Sequence, residues 1–457
     1  MKEKMKKISK TFILYVLVFI ILLSTYMVLL TVSSLIPSSV IEENVRKSSE
    51  TLLTGDENEK YDLGYKKENI FTFTDALMIN TAYSIDNKNP IESFLLDRKN
   101  YIPGQTKQVF IDNQYNLGAN KKYIDEEGNL YQTQELYALM HGENIEDSYE
   151  YARYWHGYLA VLRPLLALFD YEMIRVILFI VTLICVITLL VLLYKKLDWF
   201  SAVVYGIGLF SISIWIVSKS INEILIFLVA FISSIILLLK NGKIKNIGIF
   251  FFIVGSVSSF IDLLTTPIVT LGMTSITYFL LLQKREEKPI LKQYIIEMMK
   301  VVFSWAAGYG ITWFSKWAIT EIFFNRPLIS QSITQALFRS KGVLPTRVLK
   351  INSLLILEAN YTRLSMPVTI GLGIIGVVYL AFVIIKNRNK VVNVKENLKS
   401  CFPYMITFFM PIVWYLTIRQ HSYTHSFMVY RALIVSIISV FVILNKLFSI
   451  EKKKEEQ

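Results

Sequence analysis

The chain has 457 residues, 53% of them hydrophobic and only 18% charged, below the roughly 25% charged residues of ordinary soluble domains. A net charge of +12 raises nucleic acid as a partner, but the lysines and arginines fall in short gaps between apolar blocks. That is the pattern of membrane orientation, and it argues against nucleic acid.

The blocks are about 18 to 25 residues long, enough to cross roughly 30 Å of hydrocarbon. They predict an all-α, polytopic membrane protein with about ten transmembrane helices. The first block, 11–35, follows a lysine-rich start and is too long for the apolar core of a signal peptide, so it is read as a retained span. Residues 36–171 form a large polar, tyrosine-rich loop with turn signals at Gly118–Asn120 and Glu127–Asn129, expected to be a mostly helical unit resting on the membrane. Spans follow at 172–194, 199–218, 223–240, 247–263, 267–283 and 297–317. A second loop covers 318–365, and the last spans are 366–386, 401–418 and 429–448. The chain thus divides into 1–35 (tail and first helix), 36–171 (first extracellular loop), 172–317 (helices two to seven), 318–365 (second extracellular loop) and 366–457 (helices eight to ten and tail).

Lys195-Lys196, Lys240/Lys243/Lys245, Lys284-Arg285/Lys288/Lys292, Lys386/Arg388/Lys390/Lys395/Lys399 and the cations of both termini all land on one side. By the positive-inside rule that side is cytoplasmic, which gives a multi-pass cell-membrane protein with both termini inside. Ionisable residues are nearly absent from the middle of the spans, and Lys300 sits where it can snorkel to the interface. This counts against a proton-coupled transporter or ion pump. Cys185 lies in a span and Cys401 far along the chain, so no disulfide framework or cysteine metal cluster is legible.

Polar residues of chemical interest recur at the outer surface. The segment 151–164 carries Arg153, Trp155, His156 and Arg163. Spaced along a helix, Arg153, His156 and Arg163 share one stripe. That stripe is either a phosphate site, since a guanidinium grips phosphate oxygens in pairs, or an interfacial anchor. Asp262 stands where one span ends and, by Pro267, the next begins; it is a catalytic carboxylate or a helix cap. His421 and His425, four apart, with Tyr430 and Arg431, are read as substrate ligands or as packing of the last loop. A divalent metal between the two histidines has no acidic partner to support it, so no cofactor is assigned. Lys316 and Glu321 are placed in the same cluster. Asp75, which follows Thr74 and precedes an apolar run, is either a base or a helix N-cap. His141, Glu143, Glu146 and Asp147 look like solvated loop. Walker, dinucleotide, G-x-S-x-G and H-E-x-x-H motifs are missing from the sequence.

The layout resembles the GT-C superfamily of membrane glycosyltransferases: a first helix, a large outer loop with an acidic residue, then many spans. The runs Arg153–Leu159 with Leu162-Arg-Pro164, Asp262–Pro267, and His421-Ser-Tyr-x-His425 with Tyr430-Arg431 are similar to segments of polytopic Gram-positive envelope proteins grouped with such transferases. The resemblance implies transfer of a sugar from a polyprenyl-phosphate donor to a cell-envelope glycan or glycolipid on the extracellular face. It implies Asp75 or Asp262 as the catalytic carboxylate. Arg153, His156, Arg163, Lys316 and Arg431 then bind the donor phosphate, and Trp155, His421, His425 and Tyr430 bind substrate. Glu42-Glu43 stand where many members carry an acidic pair, in a different context. A lipid-linked saccharide flippase and a non-catalytic envelope scaffold are the rival readings.

Overall fold

The computed structural model describes residues 2–54, 58–101, 132–141, 147–285, 290–340, 351–387 and 393–448. The turns expected at 118–120 and 127–129, the acids Glu143 and Glu146, and the cations Lys288, Arg388, Lys390 and 452–454 lie outside these residues.

The chain opens with α1 (Lys2–Ser34) and α2 (Ser38–Thr54), then β1 (Asn58–Asp62), β2 (Lys67–Phe71), α3 (Thr72–Tyr83), α4 (Pro90–Leu96) and β3 (Arg98–Tyr101). After these come α5 (Gln132–Met140), β4 (Asp147–Glu150) and α6 (Leu159–Leu166). A helical bundle follows: α7 (Tyr171–Lys196), α8 (Trp199–Ser211), α9 (Ile214–Val217), α10 (Ile221–Leu239), α11 (Ile247–Ile261), α12 (Ile268–Arg285) and α13 (Leu291–Phe324). The last part holds α14 (Leu328–Ser340), α15 (Ser353–Tyr361), α16 (Met366–Asn387), α17 (Val394–Thr417), α18 (Arg419–Thr424), α19 (Ser426–Val429) and α20 (Leu433–Leu447).

Among the described residues, six helices are long and apolar enough to cross a membrane: Lys10–Ser34, Tyr171–Lys196, Ile221–Leu239, Met366–Lys386, Val394–Thr417 and Ser426–Leu447. Trp199–Ser211 and Ile247–Ile261 are shorter apolar helices. Together they define an all-α membrane protein. Side-chain caps start many of these helices. Asp170, Asp198, Ser220 and Asn246 accept from the backbone N–H of Met173, Ser201, Glu223 and Ile249, so their first turns do not leave donors orphaned.

The first loop is less uniformly helical than its composition predicts. β1 pairs antiparallel with β2 (Asn58 opposite Phe71), and β3 pairs antiparallel with β4 (Arg98 opposite Glu150). Short two-stranded ladders are marginal alone and persist here because helices pack against them.

The most extensive helix pair is α11 with α13. A Cβ on Gly255 would strike the Trp305 carbonyl, and one on Gly308 would strike that of Phe252. Two bare backbones therefore meet, the close approach that small residues permit between membrane helices. α12 is the central helix, buried from Ile268 through Leu282. α16 is at the opposite extreme, with only 11% of its apolar window buried.

All the elements between α2 and α6 gather at one end of this bundle, here called the loop end. α1 finishes there, α7 and α10 begin there, and the last turns of α13 reach up among them. Thr320 Oγ1 donates to the Leu95 carbonyl at 3.2 Å, and Ser365 Oγ donates to the Tyr65 carbonyl at 3.2 Å.

Candidate functional site

The polar residues singled out from the sequence all lie at the loop end, but they divide into four settings with different chemistry.

The first is a backbone clamp. Arg163 is fully buried in α6, and its guanidinium donates to three main-chain carbonyls: Ser33 through Nε at 3.0 Å, and Ala82 and Ile36 through its two terminal nitrogens. Those carbonyls come from the end of α1, the end of α3 and the link into α2. Three of its five N–H donors are spent on the backbone, so the side chain ties three segments together in place of the phosphate contact expected of it. Burial pulls its pKa down to about 10, still charged at neutral pH.

The second setting overturns the single stripe read into 153–163. The helix begins only at Leu159, and His156 sits at φ 50°, so Arg153 and His156 precede α6 on a turn. Three indoles hold this turn to α13. Trp313 Nε1 and Trp317 Nε1 donate to the Arg153 carbonyl at 2.7 and 2.9 Å, and Trp155 Nε1 donates to the Thr312 carbonyl at 2.6 Å. The Arg153 guanidinium lies 5.3 Å from the Tyr151 ring. His156 is enclosed, with Nε2 2.9 Å from the Tyr151 carbonyl and Nδ1 2.9 Å from the Tyr158 hydroxyl. Only an Nε2–H tautomer satisfies both. Burial and the nearby Lys316 push its pKa down to about 3, so it is a neutral wedge and not a phosphate ligand.

Lys316, next to it, is also not free for an anion. Its ammonium donates at 2.6 Å to Asp97 Oδ2 and at 2.6 Å to the Phe94 carbonyl, and lies 5.5 Å from the Trp155 ring. Asp97, unremarked in the sequence, is fully buried, which raises its pKa to about 7 even against Lys316. Glu321 does not join this group; its Oε2 accepts from the Ile329 N–H at 2.8 Å.

The third setting is a buried ionic network where α10 begins. Asp75 lies in the first turn of α3 but caps a different helix. Its carboxylate accepts from Ile221 N at 3.1 Å, Asn222 N at 3.0 Å, Ser220 Oγ at 3.3 Å and the Tyr171 hydroxyl at 2.9 Å. Burial raises its pKa, and the bonds from Asn222, Tyr171 and Ile221, with the nearby Arg175, hold the rise in check. A carboxylate so enclosed at a helix N-terminus is architectural. One turn into α10, Glu223 bonds the Arg431 guanidinium, which also donates to Phe427 O at 3.1 Å and Glu68 Oε2 at 3.4 Å. Glu68 accepts from the Tyr430 hydroxyl at 2.6 Å and pairs with Lys66 Nζ at 2.7 Å. Burial pushes the Glu68 carboxyl up, but Arg431 and Lys66 together bring it below its ordinary value. Arg431 and Tyr430 are thus committed to carboxylates and not to a ligand.

The fourth setting is a cluster of polar side chains with spare hydrogen-bonding capacity. Asp262 closes α11. Its Oδ1 accepts from the Thr265 N–H at 2.9 Å and the Thr265 hydroxyl at 2.5 Å, which fixes the turn into α12. Its Oδ2 is buried and has no partner at hydrogen-bond distance among the described residues, although the Tyr309 hydroxyl interacts with this carboxylate. Burial raises its pKa to about 6 against the Thr265 bonds. Leu264, at φ 67° in the same turn, turns its carbonyl to His421, 2.7 Å from Nε2. His421 is therefore an Nε2–H tautomer whose Nδ1 faces Arg339 Nη1 at 3.4 Å. His425 packs on it with ring centroids 4.6 Å apart. Burial and Arg339 lower its pKa to about 4.

Arg339, in the last turn of α14, is the residue the sequence reading missed. Among the described residues no carboxylate comes within ion-pair distance of it. Its field falls instead on Tyr154, Tyr151 and Tyr309, and Tyr309 feels the Asp262 carboxylate as well. Only tertiary packing assembles this group, because Arg339 lies in a loop segment without a motif. The structure therefore joins Asp262, His421 and His425, and separates them from Asp75, Arg163 and Lys316. No three His, Cys, Asp or Glu side chains among the described residues form a metal-ligand set.

Comparison with family models, curated proteins and solved structures finds no match to this chain.

Proposed function

We propose that the chain is a membrane glycosyltransferase of the GT-C kind, moving a sugar from a polyprenyl-phosphate donor to a cell-envelope glycan or glycolipid outside the cytoplasmic membrane. In this reading ten helices span the bilayer, namely α1, α7, α8 with α9, α10, α11, α12, α13, α16, α17 and α20. The loop end is extracellular and both termini are cytoplasmic, as the lysine-rich gaps require.

The observation that carries the reading is the half-buried guanidinium of Arg339, with no carboxylate at ion-pair distance among the described residues, in the same polar cluster as Asp262, whose Oδ2 has no partner at hydrogen-bond distance among them. Transfer forms a bond from the acceptor oxygen to the anomeric carbon, breaks the bond from that carbon to the phosphate oxygen, and releases the acceptor proton. Asp262 is the base for that proton, and a pKa near 6 suits a base at neutral pH. Arg339 meets the charge that grows on the departing phosphate, in a site where fixed charge is little screened. Neutral His421 and His425, with Tyr154 and Tyr309, offer hydrogen bonds and ring faces to the sugar. A second support is a groove of about 840 Å³ between α16, α17 and α20, lined mainly by apolar residues and ending at Tyr361, Thr362 and Ser365. Its polar end adjoins the cluster through α15, whose Asn360 Nδ2 donates to the Ser422 carbonyl at 3.0 Å, one residue from His421. A polyprenyl tail fits such a groove.

The test is release of polyprenyl phosphate from radiolabelled polyprenyl-phosphate hexoses by the full chain in proteoliposomes. Asp262→Asn keeps the oxygen that Thr265 bonds and removes the base, so release falls by about 100-fold or more. Unchanged release in Asp262→Asn and Arg339→Gln would end the proposal.

A further inference from the structure

A second cleft opens at the loop end, on the far side of the buried ionic network. It has a volume of about 700 Å³ and lies between β1, the start of α7 and the end of α9. Among the described residues, Lys60, Arg175 and Lys219 line it with one acid, Glu172, so these lining residues carry two more positive than negative charges. Tyr61 organises them: Arg175 Nη2 donates to its hydroxyl at 3.0 Å, and Lys219 Nζ lies 4.4 Å from its ring centroid. Below this mouth lies an apolar crevice of about 260 Å³ between α7, α8 and α9, with Trp215 in its wall. Phe179 lines both spaces, so the charged mouth continues into the crevice.

We propose that this cleft holds one anionic phospholipid, its phosphate between Lys60, Arg175 and Lys219 and an acyl chain in the crevice beside Trp215. A guanidinium and two ammonium groups match a phosphodiester, and the extra positive charge selects a lipid with net negative charge over a zwitterion. A free phosphate ester would use the mouth and leave the apolar crevice unfilled, so the continuity of the two spaces favours a lipid. The bilayer presents its headgroups at this level of α7, whose next turns carry exposed Val176 and Ile180. The site uses none of the residues around Arg339 and does not depend on the transferase reading.

The probe is brominated-chain phosphatidylglycerol against brominated-chain phosphatidylcholine, at equal mole fraction, in vesicles containing the full chain. The fluorescence of Trp215 is isolated as the difference between the native protein and Trp215→Phe. Phosphatidylglycerol is expected to quench that component with an apparent affinity about fivefold or more above phosphatidylcholine. The preference should vanish in the Lys60→Gln, Lys219→Gln double variant, and survive in Lys47→Gln, Lys88→Gln, whose lysines are exposed on the same loop. Should the double variant not fold, exposed Lys60→Gln alone should still reduce the preference. Equal quenching by the two lipids, a preference that persists without Lys60 and Lys219, or loss of quenching on adding soluble glycerol phosphate would each overturn the proposal.

Discussion

The ionic network where α10 begins and the cluster around Arg339 use the same kinds of residue, a carboxylate at a helix end and an arginine, in opposite ways. In the network, Asp75 takes four donors, and Arg431 is held between Glu223 and Glu68. In the cluster around Arg339, Asp262 keeps one oxygen without a partner at hydrogen-bond distance, and among the described residues Arg339 faces phenols and imidazoles. In the network only Arg431 Nε lacks a partner among the described residues, and groups so nearly matched fix a structure, whereas a carboxylate oxygen and a guanidinium left unmatched together are where a ligand is expected to complete the set. Residue type alone does not distinguish the two, and it is the partner list that does.

The contrast can be broken most directly at Arg431. Arg431→Met leaves Glu223 buried without its cation and Glu68 with Lys66 alone, and should destabilise the fold by about 3–5 kcal/mol, read as a fall in thermal midpoint in detergent. Adding Glu223→Leu should recover part of that loss; a single variant as stable as the native chain would show that the network is not structural. Asp262→Asn should behave inversely, with transfer down about 100-fold or more and the midpoint nearly unchanged. Asp75→Asn turns an amide toward the Ile221 or Asn222 N–H and should cost about 1–3 kcal/mol of stability. If instead it removed activity at full stability, the roles assigned to the two aspartates would have to be exchanged. Arg339→Gln should raise the KM for the lipid-phosphate donor about tenfold while leaving the midpoint in place.

The smallest effect is with pH, and it too separates the regions. Asp262 has a folded pKa of about 6, above the value of about 4 in an unfolded chain. Its contribution to stability is therefore complete below about pH 4 and is lost as pH rises through about 6. Transfer should rise over that same interval as the base ionises. A rate independent of pH between 5 and 7 would remove Asp262 from the chemistry.

Much of the helical framework was legible, because apolar blocks bounded by Asp, Ser and Asn caps leave little choice of structure. The crossing helices at 10–34, 171–196, 221–239, 366–386 and 394–417 sit on blocks visible in the sequence. The ladders formed by β1 to β4 were not legible, since strands of four or five polar residues have no clear period. The site was half legible. Asp262 stood out by its place between two helices, and His421 and His425 by their spacing. Arg339 did not, because nothing local marks it. Glu223 was overlooked although a carboxylate one turn into an apolar helix is itself a signal for a buried partner. Arg163 misled for the converse reason: three carbonyls from separate segments fill its fork, and no sequence pattern announces them.

The length of α13 has a consequence for how the two halves of the molecule register. Its 34 residues run about 51 Å, longer than the roughly 30 Å of a bilayer's hydrocarbon layer. The surplus turns form a mast on which Trp313, Lys316, Trp317 and Thr320 serve as rungs for segments far away in the chain. Inserting one residue below Trp313 would swing every rung by about 100°, unhooking the extramembrane part while the bundle beneath stayed intact.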